Sequence, residues 1–244
     1  MTPSKSPSEL KVALDAGATT ALVYPAEASE TLTPARTNRA LGPIGAALVL
    51  GHGAGAGQRS QFMVDTAHAL AALGLDVVTF NFPYTEQKRR IPDRGPVLEA
   101  CYRSVVDVVR REVASAKRHL FIGGKSMGGR IATQIAAAGE LPISGLVLLG
   151  YPLHPPGRPD QRRDKHLPAI HHPMLVLQGG RDAFGTPAEL EPVLAAMPQA
   201  ATLHVVPGGD HSFKVSRSAA AAQATIMDDI YRTIVNWIAD VIGS

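Results

Sequence analysis

The sequence predicts an α/β domain, a doubly wound and mostly parallel sheet flanked by helices, and three observations predict it. Short apolar runs alternate with helical stretches from about residue 46 to the end of the chain. Some runs, such as Ala46-Ala47-Leu48-Val49-Leu50, are apolar at every position, the pattern of a strand covered on both faces. No linker interrupts the alternation, so the 244 residues read as a single domain over 11–244, preceded by a flexible tail over 1–10.

The elements follow in order. The tail is rich in Ser, Pro and Lys. Residues 12–14 and 21–24 read as short strands, an antiparallel pair at a sheet edge, and a polar connection follows through Gly42-Pro43. After the strand at 46–50, residues 59–73 carry Phe62, Ala69, Leu70 and Leu73 at helical spacing, and 77–80 form the next strand. Leu98, Cys101, Tyr102, Val105 and Val109 mark the apolar face of a long helix, which makes Cys101 a core residue. Strands at 120–122, 146–149, 174–177 and 203–206 complete the series, with Ile131 and Ile135 on a helix after the first of them. Ile226, Ile230, Ile234, Ile238 and Val241 form the stripe of the last helix.

Composition narrows the function classes. The net charge of +3 is too small to imply nucleic acid. One cysteine rules out an internal disulfide framework and suits a reducing compartment. The N-terminus lacks the apolar core of a signal peptide, and no run approaches the ~20 apolar residues of a membrane span. The expectation is a cytoplasmic enzyme without membrane or nucleic-acid partners.

Four segments carry chemistry, each just beyond a strand. In Gly124-Lys125-Ser126-Met127-Gly128 the serine would occupy a tight strand-to-helix turn, where bulky residues two positions either side would clash. The turn also sets the Met127 N–H at a helix N-terminus, where developing negative charge is favoured. Gly51-His52-Gly53-Ala54-Gly55-Ala56-Gly57 has the small residues that let backbone approach a ligand, and the Ala54 N–H is the candidate for a second oxyanion donor. That segment lacks the G-K-[ST] ending of a phosphate loop, and the acidic residue of a dinucleotide site does not follow it. Asp182, in Gly179-Gly180-Arg181-Asp182, is placed to orient a histidine, and His211 would be the general base. Asp210 adjoins His211, and neighbouring residues rarely align to orient each other's rings. Ser126, Asp182 and His211 stand in the order Ser…Asp…His, and the strand ends of an open parallel sheet gather on one edge.

Together these segments resemble the α/β-hydrolase superfamily from about residue 10 onward, in particular its small, dienelactone-hydrolase-like members. The interval from Leu149 to Met174 is too short for a large cap domain, so an open site is expected. Dienelactone hydrolases typically use a cysteine nucleophile where this chain has Ser126, so their lactone substrate does not carry over. A closer resemblance lies in Gly124-Lys125-Ser126-Met127-Gly128-Gly129-Arg130, in Gly150-Tyr151-Pro152-Leu153-His154-Pro155-Pro156-Gly157 and in Gln178-Gly179-Gly180-Arg181-Asp182-Ala183-Phe184-Gly185. It is to the hydrolase-like family containing testis-expressed and NSL-complex subunit relatives, some of which are complex subunits.

The resulting expectation is hydrolysis of a small ester or thioester through an acyl-enzyme on Ser126, with no cofactor. A non-catalytic scaffold that keeps the fold, and a serine peptidase, are the alternatives. Loops 84–95 and 157–166 hold eight basic against four acidic residues, a net +4, while the rest of the chain nets −1. Arg89, Arg90, Arg162 and Arg163 on these loops are candidates for binding an anionic ester or an acidic partner, against the reading of solvated charged loops. His171-His172 precede a strand at adjacent positions, where side chains diverge, so no metal is assigned. Lys125 is read as a surface residue beside the serine.

Overall fold

The computed structural model describes residues 6–15, 17–27, 43–139, 141–199, 201–216 and 222–243. The first five residues of the expected tail and the connection leading to Gly42 lie outside them.

Among the described residues eight strands form one sheet: β1 (Ser8–Leu14), β2 (Gly17–Tyr24), β3 (Ala47–Gly51), β4 (Asp76–Phe80), β5 (Leu120–Lys125), β6 (Gly145–Leu149), β7 (Met174–Gly179) and β8 (Ala201–Val206). Their order across the sheet is β1-β2-β4-β3-β5-β6-β7-β8. The β1–β2 and β2–β4 pairs are antiparallel and the remaining pairs are parallel. The antiparallel edge pair was expected, but β1 begins at Ser8, inside the stretch assigned to a flexible tail. Pairing with Gly17–Val23 of β2 fixes those residues, and a Ser/Pro/Lys-rich composition cannot reveal an edge strand whose face is half solvated.

Among the described residues six helices flank the sheet: α1 (Gln61–Ala72), α2 (Pro83–Glu86), α3 (Gly95–Glu112), α4 (Met127–Ala137), α5 (Pro187–Ala195) and α6 (Gln223–Gly243). Strand residues alternate between two cores, as a period of two requires. Val49, Val78, Ile122, Leu148 and Val176 pack with α3, α4 and α5. Leu48, Leu50, Phe121, Val147, Leu149, Leu175 and Leu177 pack with α1 and α6. Every residue of β3, β5, β6 and β7 is buried, which accounts for their unbroken apolar runs. Cys101 is 1% exposed on the inner face of α3, and burial pushes its thiol pKa up to about 12, so it is an inert core residue.

The sequence pattern passed over α5, which buries only Leu190 and Leu194 and contains Pro192. Its start is nevertheless marked by Thr186, whose backbone N–H donates to Glu189 three residues on. Between β6 and β7 the helical content is one short turn, Leu167–Ala169, so no large cap domain is inserted there.

Candidate active site

The turn after β5 is built on glycine. A Cβ on Gly124 or on Gly128 would lie 2.2 or 2.1 Å from the Gly51 carbonyl oxygen, so α4 crosses the end of β3 in backbone contact. Between them Ser126 has φ 50° and ψ −112°, a left-handed conformation that costs a non-glycine residue about 1–3 kcal/mol. The sheet and helix hold it there: the Ser126 N–H donates to Leu149 O on β6, and its carbonyl accepts from Arg130 N in α4. The result is a half-buried hydroxyl raised above the strand ends.

His211 Nε2 lies 2.9 Å from Ser126 Oγ, and His211 Nδ1 lies 2.7 Å from Asp182 Oδ2. Asp182 is 1% exposed and its carboxylate is saturated with donors: Phe184 N on Oδ1, and Gln178 Nε2 beside His211 on Oδ2. Acceptance at Oδ2 assigns the Nδ1–H tautomer, which leaves Nε2 with its lone pair toward the serine. Backbone bonds lace the two post-strand turns together, Arg181 N to Gly209 O and Gly180 N to Val206 O, so Asp182 and His211 are positioned as one unit. Asp210 instead accepts Ser212 N and Lys214 N within its own turn. The Phe184 ring stacks on His211 with centroids 4.1 Å apart, limiting ring rotation.

Met127 opens α4, so its N–H is among those without an intrahelical acceptor. Ala54 and Gly53 line the same cleft as Ser126, and a Cβ on Gly53 would lie 3.7 Å from Ser126 Cβ. The loop carrying them is braced by His52, fully buried, which donates from Nδ1 to Gly53 O and accepts the Phe82 N–H at Nε2. Burial holds the His52 pKa below the usual histidine value, so it stays neutral and can fill both roles.

These groups open onto a cleft of about 870 Å³. An alpha/beta hydrolase domain model matches residues 45–239. The chain belongs to the alpha/beta hydrolase family. Among solved structures the fold is similar to an alpha-beta serine hydrolase homologue from Coxiella burnetii, at 15% identity and a TM-score of 0.70 over 94% of this chain and 98% of that one. It is also similar to an α/β serine hydrolase without a lid from Xanthomonas campestris (22% identity, TM-score 0.62, 93% and 95% covered). A dienelactone hydrolase from Anabaena variabilis matches at 18% identity and TM-score 0.67, with 96% and 97% covered. At these identities the likeness is one of fold.

For this alpha/beta hydrolase the charged residues are distributed differently from the sequence expectation. Of Arg89, Arg90, Arg162 and Arg163, only Arg163 lines the cleft. Arg89 pairs with Asp93 and Arg162 with Asp164, and Arg90 is exposed, because both basic loops curl their charges outward or onto nearby carboxylates. Arg130, which charge counting passed over, does line it. It lies four residues after Ser126, on the same helix face, and that spacing was readable in advance.

Lys125 is also corrected. It is 9% exposed, its ammonium lies 6.0 and 5.7 Å from the Phe62 and Phe213 ring centroids, and it donates to the His211 carbonyl. Burial lowers its pKa to about 8, opposed by the charges of Asp182 and Asp210. Gln178, at the end of β7, was missed as well. Its amide donates to Asp182 and to Gly185 O and accepts Tyr151 N, tying the carboxylate to the β6 and β7 loops. Among the described residues no helix is long and apolar enough to cross a membrane.

Proposed function

We propose that this chain is a serine hydrolase that cleaves a small ester or thioester through an acyl-enzyme on Ser126. Within the family we place it beside the group with testis-expressed and NSL-complex subunit relatives, on the motifs around Ser126, Tyr151 and Asp182. The observation that carries the proposal is the continuous hydrogen-bonded line from Ser126 through His211 to Asp182, opening onto a cleft.

In this reading His211 Nε2 takes the Ser126 proton as Oγ bonds to the acyl carbon. Asp182 stabilises the imidazolium without itself being protonated. The N–H groups of Met127 and Ala54 receive the oxyanion. Collapse of the tetrahedral species breaks the bond to the alkoxide or thiolate, which leaves with the proton from His211. Water, deprotonated by the same nitrogen, then attacks the acyl-enzyme and releases the acid, returning the proton to Ser126.

Labelling by a fluorophosphonate, read by intact mass, and turnover of short-chain aryl esters test this. Wild type is expected to take up one equivalent of probe, and Ser126→Ala none, with kcat lowered about 10⁴- to 10⁶-fold. An unlabelled, inert wild type would overturn the enzymatic reading in favour of a scaffold. A panel of esters, thioesters and amides then separates esterase, thioesterase and peptidase.

A further inference from the structure

The cleft is lined by two arginines, Arg130 and Arg163, that form no ion pair among the described residues. Arg130 projects from the first turns of α4 and Arg163 from the loop between β6 and β7, and both line the cleft onto which Ser126 and His211 open. Arg130 is largely withdrawn from water, and its pKa is lowered by burial first and by the charge of Arg163 next. Among the described residues neither side chain forms an ion pair or a side-chain hydrogen bond. Tyr151 donates to the backbone carbonyl of Arg163, and Thr133 donates to that of Arg130. Glu99, on α3, exerts the weakest effect on Arg130 and makes no ion pair with it.

The carboxylates nearby are already engaged, and Asp65, which lines the cleft from α1, accepts from Gln61. Asp93, which lines the cleft, accepts from Arg89 and from Tyr84 N. Asp164, next in sequence to Arg163, accepts from Arg162 through two nitrogens. The outward arginines thus occupy the nearby acids, and the inward pair is left facing the cleft. Arginines that serve structure alone normally find backbone carbonyls or carboxylates, because half-buried donors are costly to leave unmade.

We propose that Arg130 and Arg163 form a carboxylate-binding subsite, which deepens the hydrolase reading above and makes the preferred substrate an ester or thioester that also carries a carboxylate. Two arginines lining one cleft suit a carboxylate, which can accept from both guanidinium groups. Arg130 is one helical turn, ~6 Å of rise, from Ser126. A short spacer therefore separates the anionic group from the bond to be cleaved.

Two measurements test this on the full chain. The first is the ratio of kcat/KM for the 4-nitrophenyl monoester of adipic acid to that for 4-nitrophenyl hexanoate. Wild type is expected to favour the charged ester. Arg130→Gln and Arg163→Gln are each expected to lower the ratio about tenfold, and the double variant about 100-fold. Arg→Lys at either position should restore part of it. The second is adipate binding to the Ser126→Ala variant by calorimetry, expected to vanish when both arginines are replaced. Binding that vanishes while wild type hydrolyses neither ester keeps the subsite and removes the hydrolase reading. Hydrolysis of the neutral ester without a charge preference, or a preference or adipate binding that survives the double variant, overturns the subsite.

Discussion

The two walls of the cleft are built on opposite faces of one sheet and differ in chemistry. On the α3–α4 side, Arg130 and Arg163 bring two cations to a wall that also includes Leu98 and Pro152. On the α1–α6 side, Phe62, Met63, Met227 and Tyr231 make a mostly apolar wall, which Asp65 of α1 also lines. Lys125, a buried cation near that second wall, is committed inward to the His211 carbonyl. The contrast teaches that a cation's assignment depends on what its donors already hold. Lys125 is tied into the fold, whereas the two arginines retain unused donors toward the cleft.

Among single changes outside Ser126, the largest effect on turnover should come from Lys125, the cation that departs from the pattern of its own wall. Lys125→Met leaves the His211 carbonyl without its donor, and is expected to lower kcat about 10- to 100-fold with little change in KM. It carries a second signature. Between pH about 8 and the ordinary lysine value the unfolded chain holds one proton more than the folded chain at this site. The Lys125 contribution to stability therefore rises with pH across that window. Urea unfolding at pH 7 and pH 10 should show wild type gaining on Lys125→Met at the higher pH; equal shifts would mean that the ammonium is not buried as described.

A smaller effect is expected from the apolar wall. Met227→Ala removes contact area that does not distinguish charge. KM should rise about five- to tenfold for a neutral and an anionic ester alike. A selective loss on the charged ester would mean that the two walls do not divide the work. Smallest of all, replacing Arg89, Arg90 and Arg162 by Gln together should leave the charged-to-neutral ratio of kcat/KM within about twofold. These residues face solvent or nearby carboxylates, so a larger change would restore the broad basic surface that the sequence suggested.

The convergence of Ser126, Asp182 and His211 was legible because each follows a strand directly, and parallel strand ends share an edge. Strand order places those residues together without any knowledge of packing. Lys125 was misread because its burial depends on Phe62 and Phe213, which lie some 60 and 90 residues away in sequence and meet only in the folded chain. Charge counting failed on the loops for a related reason: a net +4 does not say which guanidinium has a partner. The spacings Arg89…Asp93 and Arg162…Asp164 held that information, as did the four-residue step from Ser126 to Arg130. Gln178 could not have been found from pattern alone, since a polar residue ending a buried strand declares its value only when its three partners are known.

The contact of Gly124 and Gly128 with the carbonyl of Gly51 has a consequence for tolerance. Gly51 ends β3 and leads straight into His52, Gly53 and Ala54, so one backbone seat locates both Ser126 and the loop opposite it. Neither part can drift independently of the other. Variation that improves or retunes this site is therefore confined to residues that point away from the seat, and the cleft walls are where a lineage or an engineer has room to move.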